Sequence, residues 1–277
     1  MKIISLGWGI QSFTLAAMVA LGELEPVDVV IHADTTHERT ATYDFAKRWT
    51  PWLEEREVKV VTVRINDAKF YTRPALNGLG TPPLFTSAIE EIQEPIVNDN
   101  DEVVEWLPTG SSRVKHGQMM RSCTQRWKIA PMRRWIQANR NGQPVEQWLG
   151  ISLDEVQRMK PSDVKYITHR WPLIEKRMSR HDCTLWLTRN GLEIPSRSAC
   201  VFCPYHSVSE WRDIRDNAPD DWQKAVEVDK HIRGARPPYD LFVNVQRVPL
   251  DESNLDNLTD KGQLSLWDDE CEGICGI

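Results

Sequence analysis

The sequence predicts an α/β protein with a doubly wound parallel sheet and a smaller, mostly helical, cysteine-containing C-terminal unit. Within the first 63 residues, short apolar runs alternate with segments of helical periodicity. The order strand, helix, strand, helix, strand requires parallel pairing with right-handed crossovers. The chain of 277 residues is long enough for roughly two domains at about 150 residues each.

Residues 1–158 supply the elements of the predicted sheet domain. Apolar and β-branched runs predict strands at 2–6, 27–33, 58–63 and 145–151. Amphipathic periodicity predicts helices at 12–21, 39–55 and 124–138. Pro131 lies inside the last of these, so we expect a break or kink there. Residues 66–120 are rich in Gly, Pro, Asn and acids and predict a long irregular insertion over the sheet edge.

Residues 159–277 are predicted to form the smaller unit. Asp182 is the expected N-cap of a helix at 182–190, which Gly191 closes. Ser207 and Glu210 form a capping-box pattern for the helix Val208–Asn217. A further helix is expected at 220–233, followed by an acidic tail.

Charge is unevenly distributed along a chain whose net charge is −6. Residues 113–140 contain eight Lys or Arg and no acid, which predicts an anion-binding surface, although a solvated face is the simpler alternative. No run approaches the roughly 18 apolar residues that a membrane helix needs. The first residues lack the pattern of a signal peptide, so we expect a cytoplasmic protein.

The segment 5–12, Ser-Leu-Gly-Trp-Gly-Ile-Gln-Ser, lies between the first predicted strand and helix. Gly7 and Gly9 let backbone N–H groups approach a ligand, the helix N-terminus favours an anion, and Ser12 adds a hydroxyl. The segment therefore predicts a phosphate site, with a plain strand–helix turn as the alternative. It matches neither the dinucleotide fingerprint nor the Walker loop.

Two further segments follow predicted strands. Asp34 and Glu38 come after the second strand, where Asp34 can accept from a ribose or adenine group or help to hold Mg²⁺. The alternative is an acid that stabilises a helix N-terminus. Ser152, Glu155 and Arg158 follow the strand at 145–151, where an i,i+3 surface ion pair is the alternative.

Six cysteines in a cytosolic chain predict metal ligands or reactive thiols rather than disulfides. Cys200 and Cys203 form a C-x-x-C turn before a proline, which suits Zn²⁺ or an iron–sulfur cluster. Cys123 and Cys183 are the expected further ligands, although His206 could replace one, and structural thiols remain the alternative. The tail holds Cys271 and Cys275.

The segment 121–131 combines cations with aromatic residues. Its cations can meet phosphates or a nucleic-acid backbone. With those of the following turns they are Arg121, Arg126, Lys128, Arg133 and Arg134. Trp127 could stack on a base, but burial is the commoner fate of tryptophan.

These motifs, in this order, resemble the adenine nucleotide alpha-hydrolase and phosphoadenylyl-sulfate (PAPS) reductase-like superfamily, which has a Rossmann-like, HUP-type sheet. Residues 9–12 take the place of the G-x-D-S end of the pyrophosphate loop, with Gln11 where Asp is usual. This G-x-Q-S form resembles a phage and bacterial branch. Residues 34–38 and 150–158 resemble its D-T-G-x-E and G-I-R-x-[DE]-E-x-x-R segments, and 121–131 its R-x-C-T-x-x-x-K-I-x-P element.

The resemblance implies an ATP pyrophosphatase that uses ATP and Mg²⁺ and adenylylates an acceptor for sulfur incorporation. It implies catalytic roles for Ser12, Asp34 and Gln11. The nucleotide-binding residues it implies are Ser5, Gly7, Trp8, Gly9, Gln11, Ser12, Asp34, Glu38, Ser152, Glu155 and Arg158. For the four cysteines it favours a 4Fe-4S cluster over Zn²⁺.

The implied partners are a nucleic acid, through DNA phosphorothioation or tRNA thiolation chemistry, and a sulfur donor such as a cysteine desulfurase. A homodimer is a further possibility that the resemblance does not decide. Two other functions stay open. One is a sulfonucleotide reductase with Cys271 or Cys275 as the nucleophile. The other is a nucleic-acid-binding module with a structural Zn²⁺.

Overall fold

The computed structural model describes residues 1–64 and 81–256. Its strands are β1 Lys2–Leu6, β2 Val29–Asp34, β3 Val60–Arg64, β4 Phe85–Val97, β5 Val103–Gln118, β6 Val145–Trp148, β7 Ile167–Arg170 and β8 Asp240–Phe242. Its α-helices are α1 Ile10–Ala20, α2 Thr40–Glu54, α3 Ala130–Asn139, α4 Pro172–Glu175, α5 Arg180–Arg189, α6 Val208–Asn217 and α7 Pro219–Ile232. A π-helix spans Thr124–Ile129 and a 3₁₀ helix Leu153–Arg158.

Five parallel strands form the central sheet in the order β3-β2-β1-β6-β7. The chain runs outward from β1 through β2 to β3, then crosses to the other side of β1 to add β6 and β7. The strand order therefore reverses between β1 and β6, which is the topological switch point of an open α/β sheet.

Helices cover both faces of this sheet, because alternate side chains of each strand point to opposite faces. Ile4 of β1 belongs to a core that includes α1, α2 and α5. Ile3 of the same strand belongs to a second core, with Met132 and Ile136 of α3. This confirms the predicted doubly wound α/β architecture.

The element at 124–138 differs from the expected kinked α-helix. Residues Thr124–Ile129 form a π-helix that continues directly into α3. Pro131 lies in the first turn of α3, directly after the π-helix. The change of helix type therefore comes just before the proline.

The expectation of an irregular insertion at 66–120 is wrong for its larger part, while residues 65–80 lie outside the described ones. Strands β4 and β5 form a long antiparallel ribbon, and β8 pairs only with Phe85–Ser87 at its base. Irregularities between Glu91 and Gln93, and between Ile96 and Val97, break the register. Such bulges also interrupt the alternation by which a strand is recognised in a sequence.

Two elements beyond residue 158 belong to the sheet unit, so the predicted boundary there divides a packed structure. Strand β7 is an edge of the parallel sheet. Helix α5 packs on α1, with Cys183 and Leu187 in the shared core. A separate apolar core joins α6, α7 and β8 to Trp127 of the π-helix.

Helix capping follows the sequence closely. Ser207 and Glu210 form the predicted capping box of α6. Asp182 is not the N-cap of α5 but its third residue, reciprocating with the N-cap Ser179 in a second capping box. Within residues 1–64 and 81–256, no helix is long and apolar enough to span a bilayer.

Candidate functional site

The loop between β1 and α1 closes on itself through Ser12. The Gly7 amide donates to Ser12 Oγ at 3.1 Å, and that hydroxyl donates to the Gly9 carbonyl oxygen at 3.3 Å. Trp8 has a φ of 61°, a left-handed conformation that is unusual for a large residue. Its indole is buried and packs with Phe13 and Phe45. The side chain therefore anchors a strained turn whose backbone faces the carboxyl edge of the sheet.

The loop after β6 lies against this turn at the switch point. A Cβ built on Gly150 would lie 2.8 Å from the Ser12 nitrogen and 3.0 Å from the Gln11 carbonyl carbon. Position 150 therefore requires glycine, because its backbone lies too close to that of Gln11 and Ser12 for a side chain. Gln11 Nε2 donates to Ser152 Oγ at 3.3 Å across the same contact. The two loops that sequence reasoning placed at the site are brought together.

One polar atom of the Gln11 side chain has no hydrogen-bond partner among the described residues. That side chain is 1% exposed, and the atom is its Oε1. A buried acceptor without a donor is costly, about 1–3 kcal/mol, and the described residues contain further such atoms elsewhere, the Thr42 hydroxyl among them. The N-terminus of α1 therefore carries a buried oxygen acceptor without a donor among the described residues.

Beneath the loop, Gln147 Nε2 donates to Ser5 Oγ at 2.7 Å, and Ser5 also contacts Met132 Sδ at 3.2 Å. Both polar side chains are buried. Sequence reasoning identified Ser5 but missed Gln147. These contacts make Ser5 a support of the loop floor.

Asp34, after β2, is fully engaged by donors. Its Oδ1 accepts from the Thr36 amide at 2.7 Å and the Tyr43 hydroxyl at 2.8 Å, and its Oδ2 accepts from Arg64 Nε at 2.6 Å. Burial opposes ionisation, but the three donors outweigh it and lower the pKa of the carboxyl. Tyr43 and Arg64 are further residues that sequence reasoning missed.

Glu38 connects the end of β2 to the π-helix and to residues 198–200. It is buried, and its Oε1 lies 3.2 Å from Lys128 Nζ in an ion pair. It also accepts from the hydroxyls of Thr35 and Ser198, each at 3.3 Å. An isolated β-bridge pairs Glu38 with Cys200. The acid therefore ties the end of β2, the π-helix and the cysteine turn together.

Glu155 and Arg158 form the i,i+3 ion pair that was the alternative reading of their spacing. Arg158 Nη1 lies 2.6 Å from Glu155 Oε1, and the Glu155 side chain is 2% exposed. The pair is thus largely buried rather than solvated.

Three of the four predicted cysteine ligands meet. Cys123, Cys200 and Cys203 line one cavity of about 30 Å³, together with Thr35, Arg121 and Lys128. The amide of Cys203 donates to the Cys200 carbonyl oxygen, which closes the C-x-x-C turn. Burial raises the pKa of the Cys200 thiol, and the Glu38 carboxylate adds to the effect.

Cys183 does not join them, so the predicted four-cysteine set is wrong. It lies in the core between α5 and α1, because position 183 and Leu187 form the apolar face of α5. His206 does not replace it, since it is not among the residues that line the cavity, and its Nε2 lies 2.9 Å from the Cys200 carbonyl oxygen. In the described ranges, no three His, Cys, Asp or Glu side chains are arranged to hold a metal ion. Cys271 and Cys275 fall outside those ranges.

The predicted basic surface is partly neutralised. Lys128 pairs with Glu38, Arg133 pairs with Asp163, and Arg121 lies over the Tyr205 ring at 5.8 Å. Arg126 and Arg134 remain exposed. Trp127 is buried in the C-terminal core, as the commoner fate of tryptophan predicts.

No family model matches this sequence, and no curated protein matches it. Among solved structures, the chain is similar to phosphoadenylyl-sulfate (PAPS) reductase from Candida auris, solved as a phosphate complex. The two share 12% identity over 70% of this chain and 74% of that chain, with a TM-score of 0.42. The fold assignment above rests on this chain's own sheet order and helix packing.

Proposed function

We propose that this chain is an adenine-nucleotide enzyme that splits ATP into AMP and pyrophosphate while activating an acceptor for sulfur incorporation. The observation that carries the proposal is the contact at the switch point. There, loops 7–12 and 149–158 meet around the buried, unpartnered Oε1 of Gln11. Ligands of open α/β sheets bind at that place.

The β- and γ-phosphates would lie against the turn at 7–9 and the N-terminus of α1. Backbone N–H groups and the helix dipole favour an anion there. An acceptor oxygen would form a bond to the α-phosphorus as the bond to the bridging oxygen of pyrophosphate breaks. Pyrophosphate would leave with the electron pair.

Mg²⁺ would find one candidate ligand here, because it prefers oxygen and Gln11 Oε1 has no donor. Bound there, it would neutralise charge on the leaving pyrophosphate. Asp34 fits the ribose role less directly, since three donors already engage it. Arg64, whose side chain is 65% exposed, is the donor that a ribose hydroxyl could most easily replace.

An iron–sulfur cluster or Zn²⁺ bound by Cys123, Cys183, Cys200 and Cys203 does not fit, because Cys183 lies in another core. No step of the proposed reaction passes through such a group. The acceptor that we propose is a nucleic acid, contacted by Arg126 and Arg134, whose side chains remain exposed to phosphates. A cysteine desulfurase would supply the sulfur.

The test is pyrophosphate release from ATP and Mg²⁺, measured with single-stranded DNA and with tRNA as acceptors. Ser12→Ala removes the hydroxyl that closes the loop and should lower the rate at least about tenfold. Gln11→Leu removes the unpartnered oxygen and should weaken the dependence on Mg²⁺.

Thr188→Ala is the matched control, because its hydroxyl donates to a helix carbonyl on α5. It should leave the rate unchanged. Absence of pyrophosphate with every acceptor, from a protein whose unfolding is cooperative, would refute the proposal.

A further inference from the structure

The ribbon of β4 and β5 carries apolar side chains that nothing in the described structure covers. Ile89 is 76% exposed, Val104 60%, Val114 59% and Trp106 55%. Single exposed apolar residues are ordinary, but this many on one two-stranded ribbon indicate a contact surface. An isolated two-stranded ribbon is also only marginally stable in water.

Among the described residues, the ribbon is held at its base. Strand β8 pairs with Phe85–Ser87, and the Arg247 guanidinium donates to the carbonyl oxygens of Thr86 and Gly117. From Ala88 to Val97, β4 pairs with β5 alone among residues 1–64 and 81–256, and β5 has no second neighbour there. This free part, residues 88–116, is called the arm below. Ten residues of β4 give it a length of about 34 Å.

The arm is built for contact through its faces rather than its edges. Pro95 lies in β4 and Pro108 in β5, and each lacks the N–H that a further strand would need. The register irregularities beside Gln93 and Val97 also disrupt the ladder. We therefore expect a partner to pack on the side chains.

Charge is polarised along the arm. Residues 93–112 contain five acids and no Lys or Arg, so the distal half is strongly acidic. The proximal half is neutral, because Glu90 and Glu91 balance Arg113 and Lys115, both of which pair with Glu90. Directly after the arm, the chain enters the basic stretch that exposes Arg126 and Arg134.

We propose that the arm packs antiparallel against the arm of a second copy of this chain. This arrangement covers Ile89, Val104, Trp106 and Val114 of both copies and separates the two acidic tips. It also carries each tip past the partner's base, towards the partner's basic stretch. The contact is isologous and closes as a twofold dimer.

The proposal does not depend on the enzymatic function. Because Arg126 and Arg134 are also the proposed contacts of the acceptor, a tip bound there and a nucleic acid would exclude each other.

The experiment is sedimentation velocity on the full chain over a range of concentrations, without nucleic acid. Wild type should be a dimer at micromolar concentration. Trp106→Ser combined with Val104→Ser should raise the dimer dissociation constant at least about tenfold. Ile194→Ser, which alters a 44% exposed side chain on the loop after α5, should not change it. Circular dichroism and the melting temperature show that each variant is folded.

The charge arrangement has its own test. Glu94→Lys with Glu105→Lys should weaken the dimer, and so should Arg126→Glu with Arg134→Glu. All four changes in one chain should restore it, because both members of the contact are then reversed. Raising salt from about 0.05 M to about 0.5 M should weaken the wild-type dimer.

Three results would overturn the proposal. They are a wild-type monomer at every concentration, a dimer insensitive to the changes at Trp106 and Val104, and a fourfold charge variant that stays dissociated.

Discussion

Gly150 offers the sharpest test of how the two loops of the site are fitted together. A Cβ at this position would lie 2.8 Å from the Ser12 nitrogen, 2.9 Å from its Cα and 3.0 Å from the Gln11 carbonyl carbon. All three are backbone atoms, so no side-chain rotation can relieve the overlap. Gly150→Ala must therefore move the start of α1 away from the loop after β6.

The magnitude follows from the cost of overpacking. Forcing backbone to shift in a close-packed region costs about 1–3 kcal/mol. Because the added Cβ would overlap three backbone atoms, we expect Gly150→Ala to lower the free energy of unfolding by about 2 kcal/mol. For a chain of this size, that corresponds to a fall of roughly 4 °C in melting temperature. Since Ser12 and Gln11 are displaced, pyrophosphate release should fall as well.

Urea unfolding of Gly150→Ala against wild type measures the free energy of unfolding, with the m-value checking that the transition stays two-state. Gly234→Ala is the matched control, because no atom lies within 4 Å of its added Cβ. Its effect should stay within about 0.5 kcal/mol. A Gly150→Ala protein as stable as the Gly234→Ala protein would refute the packing argument.

Three further outcomes are expected. Lys128→Met leaves Glu38 as a buried carboxylate without its cation and should lower the free energy of unfolding by about 3–5 kcal/mol. Lys115→Met, which removes one member of an exposed pair, should lower it by less than about 1 kcal/mol. Equal effects of the two changes in urea unfolding would contradict the burial argument. Burial opposes ionisation of Glu210, but His206, Arg197 and the Ser207 amide hold the pKa of its carboxyl far below the ordinary value. The ionised Glu210 therefore contributes to the free energy of unfolding above about pH 4.5, and about 2 kcal/mol of this contribution is lost by pH 3. Unfolding measured over a pH series should show this loss in wild type and not in Glu210→Gln. Trp8→Gly relieves about 1–2 kcal/mol of left-handed strain but removes a buried indole worth about 3–5 kcal/mol, so a calorimetric melting temperature above wild type would show that strain dominates.

The sequence was sufficient wherever the signal is local. The loop 5–12 was predicted because an apolar run, two glycines and a helix start follow one another within a few residues. Ser207 and Glu210 were predicted because the two members of a capping box lie only three positions apart. The same pattern at Ser179 and Asp182 was present but assigned to the wrong member.

The contacts that the sequence does not reveal are those between residues far apart in the chain. Gln147 meets Ser5 because β6 lies beside β1, and 142 positions separate the two residues in the chain. Cys183 was grouped with the other cysteines by residue type, whereas its place on the apolar face of α5 decides its surroundings. Strand order and helix rotation are tertiary properties, so spacing along the chain does not reveal them.

The β-bridge between Glu38 and Cys200 makes the cysteine turn mechanically continuous with the end of β2. Two amide hydrogen bonds flank it, from Val201 to the His37 carbonyl oxygen and from Arg39 to the Ala199 carbonyl oxygen. Any ligand that tightens residues 34–38 must therefore slow the exchange of these two amide protons with solvent, although one of them belongs to a segment some 160 residues further along the chain. Hydrogen exchange at Val201 thus becomes a remote reporter of occupancy at the sheet edge.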